Sequence, residues 1–597
     1  MTRGQVSDTY QGMLDGAVSL KAVQKRRAGW YSAARLTAFV ASAGFAVAAF
    51  AGSPLLWWVS GVLFVLFLML MVMHERLNNR IRFNKAVIEA LQQETEAVNE
   101  NYSAFDGAPE FLSKAAFAAD LDLFGEHSVF QALNRTASPG GSNELARWLL
   151  EGLTDAEAIR QRQEAVKELS GMYEWRIHFR AHGLLADEKE KASESLLSWL
   201  AMPPLFNGYL FSILLYLIPV ISVASIVMVA AGAITGGVFL FFFLLPVAIT
   251  GMYTAKINRR HTLLSRKVDL FGKYAERFRM IEEGVFSSSR MRYFSESLHS
   301  GAQSAGRGIH KLSRITASLD ARLNMIAGLL LNFLLLWDIR QMRRLETWQK
   351  NFGSLIPQWF EILENTEALS SLGAFSCSNP DFIYPQINPD GPVVCAESAG
   401  HPLIPEKQRV PNPACLEHRG EFNIITGANM AGKSTYLRTI GVNMVLALAG
   451  APVCASRFSC RPVPVYTSLR TSDNLATNQS YFYAELLRLK ELIDRLRNGE
   501  KFIILLDEIL KGTNSADKQS GSRALVAQLT QMGASGFIAT HDLELGRLAD
   551  SFDGKIRNFS FEAEIEGDEL RFDYTLKPGI ARNLNATFLM KRMGITI

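Results

Sequence analysis

The stretch FNIITGANMAGKSTYLR, residues 422–438, determines the fold class of the C-terminal part of the chain. It contains the pattern G-x-x-x-x-G-K-[ST], from Gly427 to Ser434, between an apolar strand and a helical pattern. Glycines allow a tight turn in which backbone N–H groups converge on phosphate oxygens, and the following helix N-terminus favours negative charge. The stretch therefore predicts an α/β P-loop domain that binds a nucleoside triphosphate.

The residue types of this loop assign separate roles. Lys433 is predicted to bridge the β- and γ-phosphates of ATP, and Ser434 to coordinate Mg²⁺. ATP and Mg²⁺ are therefore the predicted cofactors. The other residues predicted to surround the nucleotide phosphates are Gly427, Ala428, Asn429, Met430, Ala431, Gly432 and Thr435.

Two later apolar stretches end in residues suited to hydrolysis. KFIILLDE (501–508) is a continuous apolar strand, which is typical of a parallel sheet buried on both faces. Asp507 is predicted to hold Mg²⁺, and Glu508 to orient or deprotonate the attacking water. GFIATHD (536–542) predicts another strand, which brings His541 to the γ-phosphate or the water. The alternative for His541 is a polar residue that caps the next helix.

Four apolar segments indicate a different environment for the rest of the chain. Residues 36–51, 55–73, 209–231 and 238–253 contain no charged side chain and form two candidate transmembrane hairpins. Lys and Arg cluster outside the hairpins, which predicts a multi-pass membrane protein with its ATPase domain in the cytoplasm. The alternative is that these segments are buried core helices. Hydrophobic residues are 48% of the chain and charged residues 20%, so a mixed soluble and membrane protein is expected.

Other parts of the chain give weaker predictions. The segment 255–375 predicts long helices, and AGLLLNFLLLW (327–337) a core helix too short to span a membrane. The five cysteines predict no disulfide framework and a reducing compartment. A net charge of +4 does not demand a nucleic-acid partner. A solvated helix face is favoured over a phosphate-binding face for Arg259, Arg260, Arg266, Lys267, Arg277, Arg279, Arg290 and Arg292. An equal alternative for the first five of these residues is contact with anionic lipid headgroups.

Taken together, these motifs resemble the ATPase domain of the MutS family. TGANMAGKSTYLR is similar to its phosphate loop, LLDEILKGTNSADK to its acidic strand, ATHDLEL to its histidine motif and TSDNLATNQSYFYAEL (471–486) to its signature loop. Residues 121–169 resemble the start of the MutS core domain, and GHPLI (400–404) the motif before the ATPase. The resemblance covers most of the chain outside the hairpins, without a recognisable mismatch-reading domain.

The resemblance implies a homodimer with composite nucleotide sites. Ser480 would reach the γ-phosphate bound by the partner subunit, or cap the helix that follows it, and Asn429 would assist within its own subunit. Adenine would stack on Arg409 or Tyr574. Leu510 stands where the family has glycine after the acidic pair, and Ala428 where it has proline.

The sequence thus predicts six regions and one main function. The regions are a cytoplasmic segment (1–35), hairpin 1 (36–73), a helical MutS-core-like region (74–207), hairpin 2 (208–254), a helical lever-like region (255–375) and a MutS-type ATPase domain (376–597). The expected function is a membrane-anchored ATPase that couples ATP binding and hydrolysis to a dimer switch, with DNA left open as a partner. The alternatives are a DNA-independent ATPase that acts on membranes or partners and, least favoured, an ABC-like transporter, because the spans lack charged residues for a solute path.

Overall fold

A computed structural model gives the structure of the protein. It describes residues 1–597 except 51, 53, 187–191, 207, 266–267, 301–302, 321, 323, 470–480, 512–513, 553, 567–568 and 583–597.

Two long helices form the first hairpin, α1 (Arg3–Phe50) and α2 (Leu55–Val98). The predicted boundaries at 35/36 and 73/74 lie inside them, because the helical pattern continues through the basic flanks. The ends of both helices far from the turn pack together, with Tyr10 and Leu91 fully buried. Near the turn, Ser42 and Ser60 each donate to the other's backbone carbonyl, at 3.0 and 2.9 Å.

A helical region follows the first hairpin. Ser138 caps the N-terminus of one helix by accepting a hydrogen bond from Gly141, and Asp155 caps the next. The elements are a 3₁₀ turn (Pro109–Phe111), α3 (Ala116–Asp120), α4 (Val129–Leu133), α5 (Pro139–Glu151), α6 (Ala156–Gly171), α7 (Tyr173–Leu184) and α8 (Ala192–Leu200).

The second hairpin consists of α9 (Tyr209–Ala230) and α10 (Gly236–Ser265). By length and composition alone, four described helices could cross a membrane, namely α1, α2, α9 and α10. Large apolar side chains project outward from both hairpins, such as Trp58, which is 77% exposed. An apolar surface of this extent indicates a lipid or protein partner.

The region 255–375 contains several helices of moderate length rather than the predicted long ones. They build one bundle whose core includes Trp348 and Trp359, both fully buried. The elements are α11 (Val268–Glu282), α12 (Ser289–Leu298), the short strands β1 (His299–Ser300) and β2 (Gln303–Ser304), α13 (Ala305–Asp320), α14 (Met325–Leu335), α15 (Trp337–Phe352) and α16 (Ile356–Ser378).

Two predictions for this region are wrong. The helix α14 is not a core helix, since Met325 is 83% and Leu330 is 47% exposed, and it packs beside α9 and α10. The predicted solvated basic face is interrupted, because Arg260 and Arg277 are buried and paired with Glu346 and Glu367.

The C-terminal domain is built on a six-stranded sheet whose strands are, in spatial order, β12 (Glu569–Pro578), β11 (Ile556–Glu566), β6 (Phe422–Gly427), β10 (Ser535–Thr540), β9 (Ile503–Asp507) and β8 (Val465–Ser468). The strands β8, β9, β10, β6 and β11 are parallel, and β12 is antiparallel to β11. Its elements are β6 (Phe422–Gly427), α17 (Lys433–Leu448), β8 (Val465–Ser468), α18 (Tyr481–Arg497), β9 (Ile503–Asp507), α19 (Ser515–Gln531), β10 (Ser535–Thr540), α20 (Leu543–Gly546), a 3₁₀ turn (Arg547–Ser551), β11 (Ile556–Glu566) and β12 (Glu569–Pro578). This is the predicted α/β arrangement, with buried parallel strands on either side of the phosphate-loop strand.

A second sheet of four strands lies beside it in the order β3-β7-β4-β5. In its antiparallel register Cys395 lies opposite Cys415, and a disulfide joins them although the sequence predicted no disulfide framework. The pairing depends on strand register, which cysteine spacing alone does not reveal. The strands are β3 (Gln386–Ile387), β4 (Val394–Ala399), β5 (Asn412–Leu416) and β7 (Arg457–Cys460).

Candidate nucleotide-binding site

The predicted site residues meet at one edge of the six-stranded sheet. The strands β6, β10 and β9 are parallel neighbours, so their carboxyl ends lie side by side. Each of these ends carries one part of the site: the phosphate loop after β6, Asp507 and Glu508 at the end of β9, and His541 after β10. This edge is where open α/β sheets bind ligands.

The phosphate loop has the backbone that its glycines predict. Gly427 and Gly432 have φ angles of +150° and +105°. A side chain at Gly427 would lie 2.4 Å from the carbonyl oxygen of Phe561, so β11 excludes one. The ammonium of Lys433 donates to the carbonyls of Gly427 and Ala428 at 2.7 and 2.8 Å. Burial lowers the pKa of Lys433, and nearby carboxylates partly oppose that change.

A cavity of about 390 Å³ opens over this loop. It is large enough for a small ligand. The loop residues that line it are Asn429, Met430, Gly432, Lys433, Ser434 and Thr435. Two other residues of the loop, Ala428 and Ala431, have buried side chains and do not line the cavity.

The two predicted Mg²⁺ ligands contact each other. The hydroxyl of Ser434 donates to Oδ2 of Asp507 at 2.5 Å. The other oxygen of Asp507, Oδ1, is buried and has no hydrogen-bond partner within the described part of the chain. Burial raises the pKa of Asp507, while Ser434 and nearby lysines lower it. An unpartnered buried carboxylate oxygen of this kind is costly unless a ligand satisfies it.

Glu508 lies at the centre of a charged chain. Its carboxylate contacts the ammonium of Lys511 at 3.2 Å and Nδ1 of His541 at 3.5 Å. Nε2 of His541 in turn lies 3.3 Å from the ammonium of Lys518. Burial raises the pKa of Glu508, but the positive charges of Lys511, His541 and Lys433 lower it by more than burial raises it. The pKa of Glu508 is therefore below its usual value. The capping alternative for His541 is wrong, because the side chain of Asp542 caps α20.

Glu485 is a functional candidate that the sequence analysis did not single out, although it ends the signature motif. Its buried carboxylate accepts hydrogen bonds from the backbone N–H groups of Leu510 and Lys511, at 2.6 and 3.2 Å. Leu510 has φ = +59°, which explains why glycine is the usual residue at that position. Glu485 thus fixes the turn that places Glu508 and Lys511.

Both candidates for adenine stacking line the same cavity. The ring of Tyr574 lies close to Gly432, where an added Cβ would be 3.2 Å from it, and the ring is half-exposed. The guanidinium of Arg409 is mostly buried and contacts the ring of Phe382 and the carboxylate of Asp381. The exposed ring of Tyr574 is therefore better placed to stack on a base.

Two further residues, His401 and Ser480, are distinct from the phosphate-loop, carboxylate and adenine-stacking residues. His401 of the GHPLI motif also lines the cavity, and burial together with Arg438 lowers its pKa to about 4. The sequence analysis assigned no role to His401. Ser480 lies outside the described residues, so its predicted contact with a partner subunit stays a prediction.

Comparisons with known proteins match both regions of the predicted resemblance. The MutS domain V profile matches residues 423–588, and the MutS domain III profile matches residues 111–189. The first contains the phosphate loop, Glu508 and His541, and the second contains the predicted core-domain start. Residues 190–422 lie between the two matches, so the matched part is smaller than the sequence analysis expected.

The chain is similar to several proteins named DNA mismatch repair protein MutS. It is 32% identical to that of Aquifex pyrophilus over 219 residues, which is 36% of this chain and 25% of the relative. It is 33% identical to that of Natronomonas pharaonis over 208 residues, or 34% and 23% of the two chains. MutS 2 of Halobacterium salinarum is 33% identical over 223 residues, or 37% and 25%.

These matches show that residues 111–189 are similar to MutS domain III and residues 423–588 to MutS domain V. The chain spans about a quarter of the length of the curated relatives that it matches. The relationship therefore applies to the site described above, and the activity of the whole protein is a separate question.

Proposed function

We propose that this protein is a membrane-anchored, Mg²⁺-dependent ATPase whose nucleotide cycle drives a conformational switch in a homodimer. The observation that carries this proposal is the hydrogen bond from Ser434 to Asp507, next to Lys433, whose ammonium donates to a carbonyl of the phosphate loop. Two motifs far apart in sequence, the phosphate loop and the end of β9, supply a phosphate-binding loop, a hydroxyl–carboxylate pair and a further carboxylate at a single sheet edge.

The residues present fit a Mg²⁺ ion. The buried, unpartnered Oδ1 of Asp507 and the hydroxyl of Ser434 are hard oxygen ligands of the kind that Mg²⁺ prefers. Among the described residues no cluster of three or more His, Cys, Asp or Glu could hold a metal by itself. A site with one carboxylate and one hydroxyl, completed by phosphate oxygens and water, is the usual form for Mg²⁺. When bound, the ion neutralises the charge of the phosphates.

Side chains of the protein bind the phosphates and orient the water. Lys433 leaves the two loop carbonyls to bind phosphate oxygens. Glu508, ionised at neutral pH because its pKa is lowered, accepts a hydrogen bond from water and orients it. His541 and Lys511 hold the carboxylate of Glu508 in place.

The dimer is part of the proposal because the signature loop needs a partner. The resemblance of residues 471–486 to the MutS signature loop supports this idea. Within one chain, Glu485 joins α18 to the turn that carries Glu508. In a composite site, Ser480 of one subunit would contact the nucleotide of the other. Movement of α18 would then alter the position of Glu508.

The membrane anchor is supported by the composition and exposure of the two hairpins. Their apolar side chains face outward, and the spans contain no charged residue. Transport is the weakest alternative, since such spans offer no polar path for a solute. DNA is a second candidate partner, favoured by relatives that are named for mismatch repair.

The proposal is tested by ATP hydrolysis of the full chain held in phosphatidylcholine nanodiscs, with and without duplex, mismatched and branched DNA over a salt series. Glu508→Ala is the inactive variant, and Glu491→Gln, an exposed position on α18, is the control. Stimulation by DNA that declines with salt supports a DNA-acting ATPase. Hydrolysis that depends on Glu508 but not on DNA supports the membrane or partner alternative. Hydrolysis indifferent to Glu508→Ala contradicts the assigned site.

A further inference from the structure

A large basic cleft lies beside the start of α9 and shares no lining residue with the nucleotide cavity. Its volume is about 1030 Å³, and it lies between α13, α15 and the first turns of α9. Six permanently charged side chains line it, and no carboxylate does among the described lining residues. They are Arg307, Lys311 and Arg314 on α13, and Arg340, Arg343 and Arg344 on α15.

These charges are concentrated by helix periodicity. On α13 the three basic residues are three, four or seven residues apart and share one face. On α15, Arg343 and Arg344 follow Arg340 by three and four residues and therefore lie on the same side of the helix as Arg340. The opposite faces are core, with Ile309 and Met342 fully buried. Like charges at this spacing repel and destabilise their helices. None of the six pairs with a carboxylate among the described residues. Such a concentration of positive charge favours a bound anion.

Two of the arginines fix the cleft to α9. Arg340 donates to the carbonyl of Leu215 at 2.8 Å, and Arg343 donates to the hydroxyl of Ser212 at 2.5 Å. Leu215 lies six residues after the first residue of α9, so the cleft is about 9 Å along that helix. Of the other four basic side chains, Arg344 donates to Oε1 of Gln341 at 3.4 Å, and Arg307, Lys311 and Arg314 make no side-chain hydrogen bond among the described residues.

The surroundings of the cleft resemble a membrane interface. Tyr209 and Tyr216 project from one face of α9, at 82% and 80% exposed, and tyrosine is enriched where hydrocarbon meets headgroups. The apolar helix α14 lies between α13 and α15 in sequence and packs against α9, where Ser222 donates to the carbonyl of Phe333. Basic residues thus flank an exposed apolar helix on both sides, which is the arrangement expected on the cytoplasmic side of a membrane.

We propose that this cleft binds the phosphate-bearing headgroup of an anionic phospholipid, with the acyl chains along the exposed face of α9. The inference rests on the membrane anchoring of the proposed function and adds a lipid class to it. Lys and Arg near a membrane surface attract anionic lipid, and arginine forks bind phosphate in two-point contacts.

The test asks which of two phospholipids stays bound to the full-length protein after its extraction from nanodiscs. The nanodiscs contain phosphatidylcholine and phosphatidylglycerol in equal amounts. Mass spectrometry measures the two lipids bound per protein. The test variant is the triple substitution Arg307→Gln, Arg314→Gln and Arg344→Gln, at exposed positions that make no ion pair among the described residues. The control removes the same charge from exposed sites elsewhere, with Lys114→Gln, Lys167→Gln and Lys555→Gln.

The wild type and the control are expected to retain phosphatidylglycerol in preference to phosphatidylcholine, and the test variant to lose at least about tenfold of that preference. Equal retention of both lipids by the wild type, or an unchanged preference in the test variant, overturns the proposal. So does displacement of the lipid by inorganic phosphate or by duplex DNA, which reassigns the cleft to a soluble phosphate compound or to nucleic acid. Failure of the protein to enter phosphatidylcholine nanodiscs contradicts the membrane anchor itself, whereas entry without lipid preference contradicts the cleft proposal alone.

Discussion

The carboxylate of Asp120 lies 2.8 Å from the guanidinium of Arg488, and this contact joins the helical region after the first hairpin to the C-terminal domain. Asp120 is only 2% exposed and also accepts hydrogen bonds from the hydroxyl of Thr467 and the backbone N–H of Leu469. Thr467 and Leu469 lie shortly before the signature loop (471–486), and Arg488 lies shortly after it on α18. A single carboxylate of the helical region thus holds both sides of that loop.

Replacement of Asp120 by Asn is expected to lower the free energy of unfolding by about 2 kcal/mol, because it leaves Arg488 without its buried partner. A double-mutant cycle with Arg488→Gln, measured by denaturant unfolding, should give a coupling energy of about 1 kcal/mol or more. Glu157→Gln, on an exposed helix face, is the control. Additive effects of Asp120→Asn and Arg488→Gln would refute the coupling.

Substitution of Lys433 by Ala is expected to weaken ATP binding by about tenfold to a hundredfold, since a charged hydrogen-bond donor is lost from the phosphate site. Equilibrium binding of a fluorescent ATP analogue measures the effect. Lys490→Ala, at an exposed position on α18, should leave the affinity unchanged. Equal affinity of the Lys433→Ala variant and the wild type would mean that the ammonium does not meet the phosphates.

His401 predicts a specific loss of stability in acid. Burial and Arg438 lower its folded pKa to about 4, below the unfolded value near 6.5. A histidine with a lowered folded pKa contributes stability that is present above its unfolded pKa and declines as the pH falls through that value towards the folded pKa. The loss attributable to His401 between neutral pH and about pH 5 is about 2 kcal/mol.

The His401→Gln variant should therefore show a smaller decrease in unfolding free energy over that pH range than the wild type. The exposed His418→Gln substitution is the control and should preserve the wild-type pH dependence. Parallel pH profiles of the wild type and His401→Gln would exclude this assignment.

Leu510 tests whether packing or backbone strain dominates at the turn after Glu508. Glycine would relieve the cost of a positive φ, about 1 kcal/mol, but would remove a buried side chain that contributes about 3 kcal/mol. Leu510→Gly should therefore lower the melting temperature, while Leu510→Met should change it little. A higher melting temperature for Leu510→Gly would show that strain is the larger effect.

The elements nearest the phosphate loop were the most predictable from sequence. Gly427 and Gly432 mark a turn, and the apolar strand before Asp507 can only be buried, so motif and strand pattern together predict where Ser434 and Asp507 meet. Local signals of this kind depend on few residues and little on the rest of the fold.

Contacts between distant segments were not predictable in the same way. The pairing of Cys395 with Cys415 depends on strand register, and the position of α14 depends on the hairpin that it packs against. The buried pair of Arg277 and Glu367 joins helices 90 residues apart. A single sequence carries no signal for such pairs, because either residue alone has the composition of a surface position.

The most direct test of the catalytic assignment is single-turnover hydrolysis with Mg²⁺ and ATP, compared with nucleotide binding, for the wild type, Glu508→Gln and Glu491→Gln. We expect that all three proteins bind ATP, that the wild type and Glu491→Gln hydrolyse it only with Mg²⁺, and that Glu508→Gln is slowed by about a hundredfold or more. Hydrolysis by Glu508→Gln at the wild-type rate, or hydrolysis without Mg²⁺, would contradict the assignment of this sheet edge as the catalytic site.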